Sequence, residues 1–220
     1  LEVTILEAGA RHDRRQRLDA CSLCLITSPG EGLLQRVEAA LGAGVGLVQY
    51  RAKEGHDRER LPEAQALAEL CRSHNALFIV NDRIDLALLV DADGVHLGQD
   101  DLPTDAARRL IGDGRLLGRS THNLAQLQAA HQDDCDYLGV GPIYATGTKP
   151  EKMPQGLDWA RQASEHATLP WFAIGGIQAD RLPELGNAGV RRVAVVGAIM
   201  AAADPAAASR ELLNGLAVTR

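Results

Sequence analysis

From Leu23 onward, short apolar runs alternate with longer stretches of helical character. The runs at 23–27, 46–50, 77–81, 94–97, 115–119, 136–140, 171–174 and 192–196 predict strands. The stretches near 31–43, 57–73, 83–90, 103–111, 123–132, 157–167, 179–188 and 205–217 predict helices. Asp204-Pro205 reads as an N-cap followed by proline at the first helical position. Strict strand–helix alternation implies parallel pairing with right-handed crossovers. Within about 200 residues the economical closure is an α/β fold of the (β/α)8 TIM-barrel type. A doubly wound open sheet is the alternative, but no G-x-G-x-x-G follows the first strand.

Residues 1–20 stand outside this rhythm. The segment Arg11-His12-Asp13-Arg14-Arg15-Gln16-Arg17 is highly charged and reads as a linker, a solvated helix or a tail. The expected division is an N-terminal extension or linker over 1–20 and the barrel over 21–220. The chain begins at Leu1 rather than Met, which leaves open a fragment of a longer protein or a processed chain.

Composition narrows the function. The formal net charge of −6 argues against nucleic acid as the main partner, because phosphate-backbone binding faces are strongly basic. It does not exclude small anionic ligands held by a local cluster of Arg, Lys and backbone N–H groups. No apolar run approaches the ~20 residues of a membrane span, and no signal-peptide pattern opens the chain. The expectation is a cytoplasmic protein with small-molecule partners; a homo-oligomer stays open. Cys21 and Cys24 form a C-x-x-C, but neither Cys71 nor Cys135 lies near them to complete a metal site, so all four read as buried structural thiols.

A barrel places its chemistry at the C-terminal ends of its strands. Here the second strand ends in Gln49-Tyr50-Arg51-Ala52-Lys53, and the third in Asn81-Asp82. The fourth leads into His96-Leu97-Gly98-Gln99-Asp100-Asp101, and the fifth ends in Ser120-Thr121-His122. The sixth runs through Gly141-Pro142 to Thr146-Gly147-Thr148-Lys149, the seventh ends in Gly175-Gly176-Ile177, and the eighth in Val196-Gly197. Arg51, Lys53 and Lys149 are cations, and an arginine can hold phosphate oxygens through parallel hydrogen bonds. Asp82 and Asp101 come from neighbouring strands and are candidates to share one Mg²⁺, which one or two carboxylates and substrate phosphates typically hold. The competing expectation is a rim salt bridge between these cations and carboxylates. Gly175, Gly176, Val196 and Gly197 suit the phosphate site that barrels build after strands 7 and 8, and Thr146 and Thr148 can bond either phosphate group. His96 is expected to face inward or support its loop, and His122 to touch a ligand or support its loop. The other five histidines are expected in helical or surface stretches.

Taken in order, Gln49-x-Arg51-x-Lys53, Asn81-Asp82, His96-x-Gly98-Gln99-x-Asp101, Ser120-x-His122, Thr146-x-Thr148-Lys149 and Ala173-Ile174-Gly175-Gly176-Ile177 resemble the thiamine phosphate synthase family, from about Leu23 to Ala217. The resemblance implies a transferase that joins 4-amino-2-methyl-5-pyrimidinylmethyl diphosphate to a thiazole phosphate, carboxylated or not, and releases diphosphate. It implies Gln49, Arg51, Lys53, Asn81, Ser120 and Lys149 on the pyrimidine diphosphate, with Arg51, Lys53, Ser120 and Lys149 carrying the catalysis. It implies Mg²⁺ on Asp82 and Asp101, and Thr146, Thr148, Gly176, Val196 and Gly197 on the thiazole phosphate. Gly197 departs from the family, whose members often have Ser there, and the 150–155 stretch makes the sixth loop unusual. Two other readings compete: a thiazole tautomerase of the same fold, and a non-catalytic sensor of thiamine precursors.

Overall fold

A computed structural model describes residues 2–147 and 153–218. Eight parallel strands close into a barrel in the order β1-β2-β3-β4-β5-β6-β7-β8. They are β1 (Leu23–Ile26), β2 (Leu47–Tyr50), β3 (Leu77–Asn81), β4 (Gly94–Leu97), β5 (Leu116–Thr121), β6 (Tyr137–Val140), β7 (Trp171–Ile174) and β8 (Val193–Val195). The first strand closes on the last through Cys24↔Ala194. The expected barrel is therefore the observed one, and every strand falls within one or two residues of its expected bounds.

The outer layer holds α2 (Leu33–Gly42), α3 (Asp57–Ser73), α4 (Ile84–Leu89), α5 (Thr104–Ile111), α6 (Leu124–Ala130), α7 (Gly156–His166), α8 (Leu182–Asn187), α9 (Gly197–Met200) and α10 (Pro205–Val218). The expected cap before α10 forms: the Ala207 N–H donates to Asp204 Oδ1 at 2.9 Å. A 3₁₀ turn, Ala179–Arg181, precedes α8, and the four-residue α9 was too short to carry a periodic signal.

The strands are buried on both faces, so they read as continuous apolar runs. Alternate residues nevertheless enter two different cores. Leu23, Leu25, Val48, Phe78, Val80 and Leu138 pack outward against the helices. Cys24, Ile26, Leu47, Leu77, Ile79, Leu116, Tyr137, Phe172 and Ala194 fill the barrel interior. That parity fixes which residues further along each strand face the barrel mouth.

The N-terminal segment is the helix α1 (Glu2–Ala20), and it seals the opposite end. Leu18 is fully buried and joins the interior cluster. Arg11, Arg14, Arg15 and Leu18 recur at helical spacing and so share one face. Arg11 and Arg15 donate to Asp136 Oδ1 at 2.8 and 2.5 Å, and Arg14 donates to Asp93 Oδ1 at 2.8 Å. Of the linker, solvated helix or tail expected, the segment is a helix, and one of its faces docks on the barrel. Among the described residues no helix is long and apolar enough to cross a membrane.

All four cysteines are free; Cys24, Cys71 and Cys135 are buried and Cys21 is half-buried. Burial pushes the Cys21 thiol up to about 11 and Cys71 to about 12, so both stay protonated and behave as small apolar groups.

Candidate active site

A cavity of about 720 Å³ opens at the C-terminal end of the strands. Its walls follow from the parity of the interior. Two residues beyond Leu47 comes Gln49, and two further comes Arg51; two beyond Ile79 comes Asn81; four beyond Leu116 comes Ser120. Two beyond Phe172 and Ala194 come Ile174 and Val196. All of these line the cavity. The lower interior is apolar and the upper interior polar, which is the expected arrangement for a site held on a rigid scaffold.

Of the expected site residues, Gln49, Arg51, Asn81, Ser120, Thr146, Gly175, Gly176, Val196 and Gly197 share this cavity. Thr148 and Lys149 lie outside the described residues, as does the 150–152 part of the sixth loop. Lys53, Asp82 and Asp101 do not line the cavity but gather beside it. Asp82 lies one residue past the end of β3, whose last residue, Asn81, lines the cavity. Lys53 Nζ stands 3.5 Å from Asp82 Oδ2, so the rim ion pair weighed from the sequence is present for this lysine. Among the described residues Arg51 makes no such pair; its backbone N–H donates to Thr27 Oγ1 at 3.0 Å.

Burial first, then the neighbouring Asp101 carboxyl, pushes the Asp82 carboxyl above the usual carboxylate range. Asp82 also adopts a left-handed backbone, φ 63°. Asp101 Oδ2 accepts the Gly98 N–H at 2.6 Å, which anchors its loop. Two neighbouring carboxylates beside this cavity suit a hard dication that completes its shell with substrate oxygens. Among the described residues no group of three or more acidic, His or Cys side chains gathers as a metal cage.

The cavity floor is a hydrogen-bonded chain. His96 Nε2 lies 3.0 Å from Ser120 Oγ and His96 Nδ1 3.2 Å from the buried Tyr137 hydroxyl. Gly118 is required here: a Cβ would come within 2.5 Å of His96 Nδ1 and also strike the Tyr137 ring. Gln49 Nε2 donates to Asn81 Oδ1 at 2.8 Å, and Gln99 Nε2 donates to the Ser120 carbonyl at 2.6 Å. These bonds hold a polar ring in one geometry, which is what substrate positioning needs. His122 combines its two expectations: it lines the cavity, and its Nδ1 lies 2.5 Å from the Gly141 carbonyl oxygen.

Glycine at 176 is dictated by packing. Its φ is +62°, and a Cβ would strike the Ala145 carbonyl oxygen and the Tyr144 Cβ. A Cβ at Gly197 would meet nothing within 4 Å, so that position opens onto free space.

Among the polar lining residues that the sequence reading passed over are Ser28, Gln178 and Arg181. Ser28 lies two residues beyond the inward-facing Ile26, so parity alone could have found it. Arg181 was hidden inside a stretch read as helix.

A family model described as thiamine monophosphate synthase matches residues 23–199. A relative named thiamine-phosphate synthase, from Synechococcus sp. (strain WH7803), is 62% identical over 218 residues, covering 97% of this chain and 62% of the relative. A second of that name, from Prochlorococcus marinus (strain MIT 9313), is 61% identical over 221 residues, covering 98% of this chain and 63% of the relative. The chain thus spans less than two thirds of the length of these relatives. The solved thiamine phosphate pyrophosphorylase from Pyrococcus furiosus superposes with a TM-score of 0.84 at 34% identity, covering 94% of this chain and 98% of that one. These matches lend no support to the tautomerase or sensor readings.

Proposed function

The chain belongs to the thiamine monophosphate synthase family, and from that premise we propose that it joins a pyrimidinylmethyl diphosphate to a thiazole phosphate, forming thiamine phosphate and diphosphate. The observation that carries the reading is a single cavity lined on one side by Gln49, Arg51, Asn81 and Ser120, and on another by Thr146, Gly176, Val196 and Gly197. One half suits a ring bearing a diphosphate; the other suits a second, smaller phosphate.

In the proposed reaction the bond between the pyrimidinylmethyl carbon and the diphosphate oxygen breaks, and the oxygen keeps the electron pair. The thiazole nitrogen lone pair then forms the new carbon–nitrogen bond. An electron-rich pyrimidine stabilises the intervening cation, so the chain's task is positioning and charge neutralisation rather than proton abstraction. Arg51 binds the departing diphosphate, with Lys53 and Lys149 as further cations. Gln49, Asn81 and Ser120 orient the pyrimidine. Asp82 and Asp101 would hold Mg²⁺, which when bound neutralises charge on the diphosphate. On this reading the substrates are its partners and its setting is cytoplasmic.

The test is to mix purified protein with both phosphorylated substrates, with and without Mg²⁺, and to follow both products by chromatography. Mg²⁺-dependent formation of thiamine phosphate together with diphosphate is expected. Binding of the thiazole phosphate without coupling would overturn the proposal.

A further inference from the structure

The phosphate-facing side of the cavity has an unexpected basic residue. The backbone there comes from Gly175, Gly176, Val196 and Gly197, none of which carries a polar side chain. Gly197 opens onto free space. Arg181, in the turn after β7, lines the same cavity. Among the described lining residues, Arg51 and Arg181 are the two arginines, and no lysine joins them. Arg51 follows β2 and Arg181 follows β7, so in the closed strand order β8 and β1 lie between them. A reaction that joins two phosphorylated halves needs a cationic pole for each anion, and the cavity has two separated ones.

Arg181 is also held in place. Its Nη1 donates to the Gly176 carbonyl at 3.1 Å. Its guanidinium lies 4.1 Å from the centroid of the Tyr144 ring, within cation–π range. The Tyr144 hydroxyl in turn donates to Glu184, so the ring is fixed from its far end. A guanidinium has five N–H donors in a planar fork that matches phosphate geometry; Gly176 takes one of them. The contacts tie the arginine to the glycine turn at 175–176 and to Tyr144, two residues before Thr146.

From this geometry we infer that Arg181 binds the monophosphate of the thiazole substrate, with Tyr144 and Glu184 as positioning residues. The assignment rests on the coupling reading above and adds the cationic side chain that this phosphate pole otherwise lacks among the described residues.

The deciding experiment compares wild type, R181Q and R181M. Methionine keeps an apolar stem over Tyr144 without the charge. Affinity for the thiazole phosphate alone is read by calorimetry, and KM for each substrate by kinetics. Both variants should weaken binding of the thiazole phosphate by about ten- to hundredfold, the usual scale of a charge-assisted hydrogen bond. KM for the pyrimidine diphosphate should stay within about twofold, and kcat at saturation within a few-fold. The unphosphorylated thiazole alcohol should bind wild type and variants equally. Unchanged affinity for the thiazole phosphate overturns the inference. So does an equal loss for the phosphorylated and unphosphorylated thiazoles, or failure of both variants to fold, since each would mean a bracing role only. Wild type that binds the thiazole phosphate but couples nothing sinks the coupling reading instead, and the calorimetric comparison still decides Arg181.

Discussion

The two ends of the barrel use the same residue types to opposite effect. At the N-terminal end Asp136 has a fully buried side chain and receives Arg11, Arg15 and Arg108 as well as the Leu117 N–H. Each of these charges has a partner within the chain. At the C-terminal end Arg51 has no ion pair among the described residues, and Asp82 is pressed against another carboxylate. Satisfied charges make a seal; charges left incomplete make a site whose remaining partners come from the ligand. Arginine and aspartate therefore carry no fixed meaning in this fold, and the end of the strand on which they stand decides it.

The sharpest way to break this contrast is at the mouth. Arg51→Ala should lower kcat/KM by about 10²–10³-fold, the scale of losing one preorganised charge at a reacting centre. Asp82→Asn should cost about as much activity while leaving the melting temperature unchanged or slightly raised. It relieves the repulsion with Asp101, and Asn tolerates the left-handed backbone at φ 63°. A clear loss of stability in either variant would mean that the mouth is built like the base.

Asp136→Ala should show the reverse. It leaves Arg108, whose side chain is 9% exposed, without its buried partner, and should destabilise the fold by about 3–5 kcal/mol in urea titration. Turnover per folded molecule should stay near wild type; a tenfold fall in kcat would break the separation of the two ends.

His96→Gln tests the floor between them. It disturbs the 3.0 Å contact to Ser120, and about tenfold lower kcat/KM is expected, the worth of roughly one oriented hydrogen bond. If Ser120→Ala and the double variant lose no more than His96→Gln alone, the two act as one unit.

The smallest effect concerns acid. The hydrogen bond from Arg11 holds the Asp134 carboxyl below its ordinary value of 3.8. A depressed carboxylate stabilises the fold above the ordinary value, and that contribution fades as pH falls below about 4. Asp134 has a half-exposed side chain, so solvent screening keeps the effect small. The melting temperature should fall more steeply below pH 4 in wild type than in Arg11→Met; parallel curves would mean that this ion pair does not hold α1.

Much of the fold was legible because its signals are local. An apolar strand run and an Asp204-Pro205 cap announce themselves within a few neighbours. The polar ring was legible for the same reason: Gln49, Asn81 and Ser120 each stand a whole number of two-residue steps from an apolar interior residue. What stayed illegible depends on contacts between distant parts of the chain. Arg11 meets Asp136 across 125 positions, so α1 read as a charged extension although one face of it is a docking surface. The rim ion pair was weighed from the sequence, but that it forms for Lys53 and not, among the described residues, for Arg51 depends on how the second and third strand ends meet.

By itself the sequence determined the eight strands and the helices that alternate with them, their closure into a barrel and the identity of the polar residues at the strand ends, because backbone hydrogen bonding and side-chain alternation repeat over short distances. Only the tertiary structure decided which charges are satisfied and which are left for a ligand. That choice depends on partners brought together by barrel closure: Asp136 with three arginines at the base, Asp82 with Asp101 at the rim, and Arg181 braced on Tyr144 beside a glycine turn.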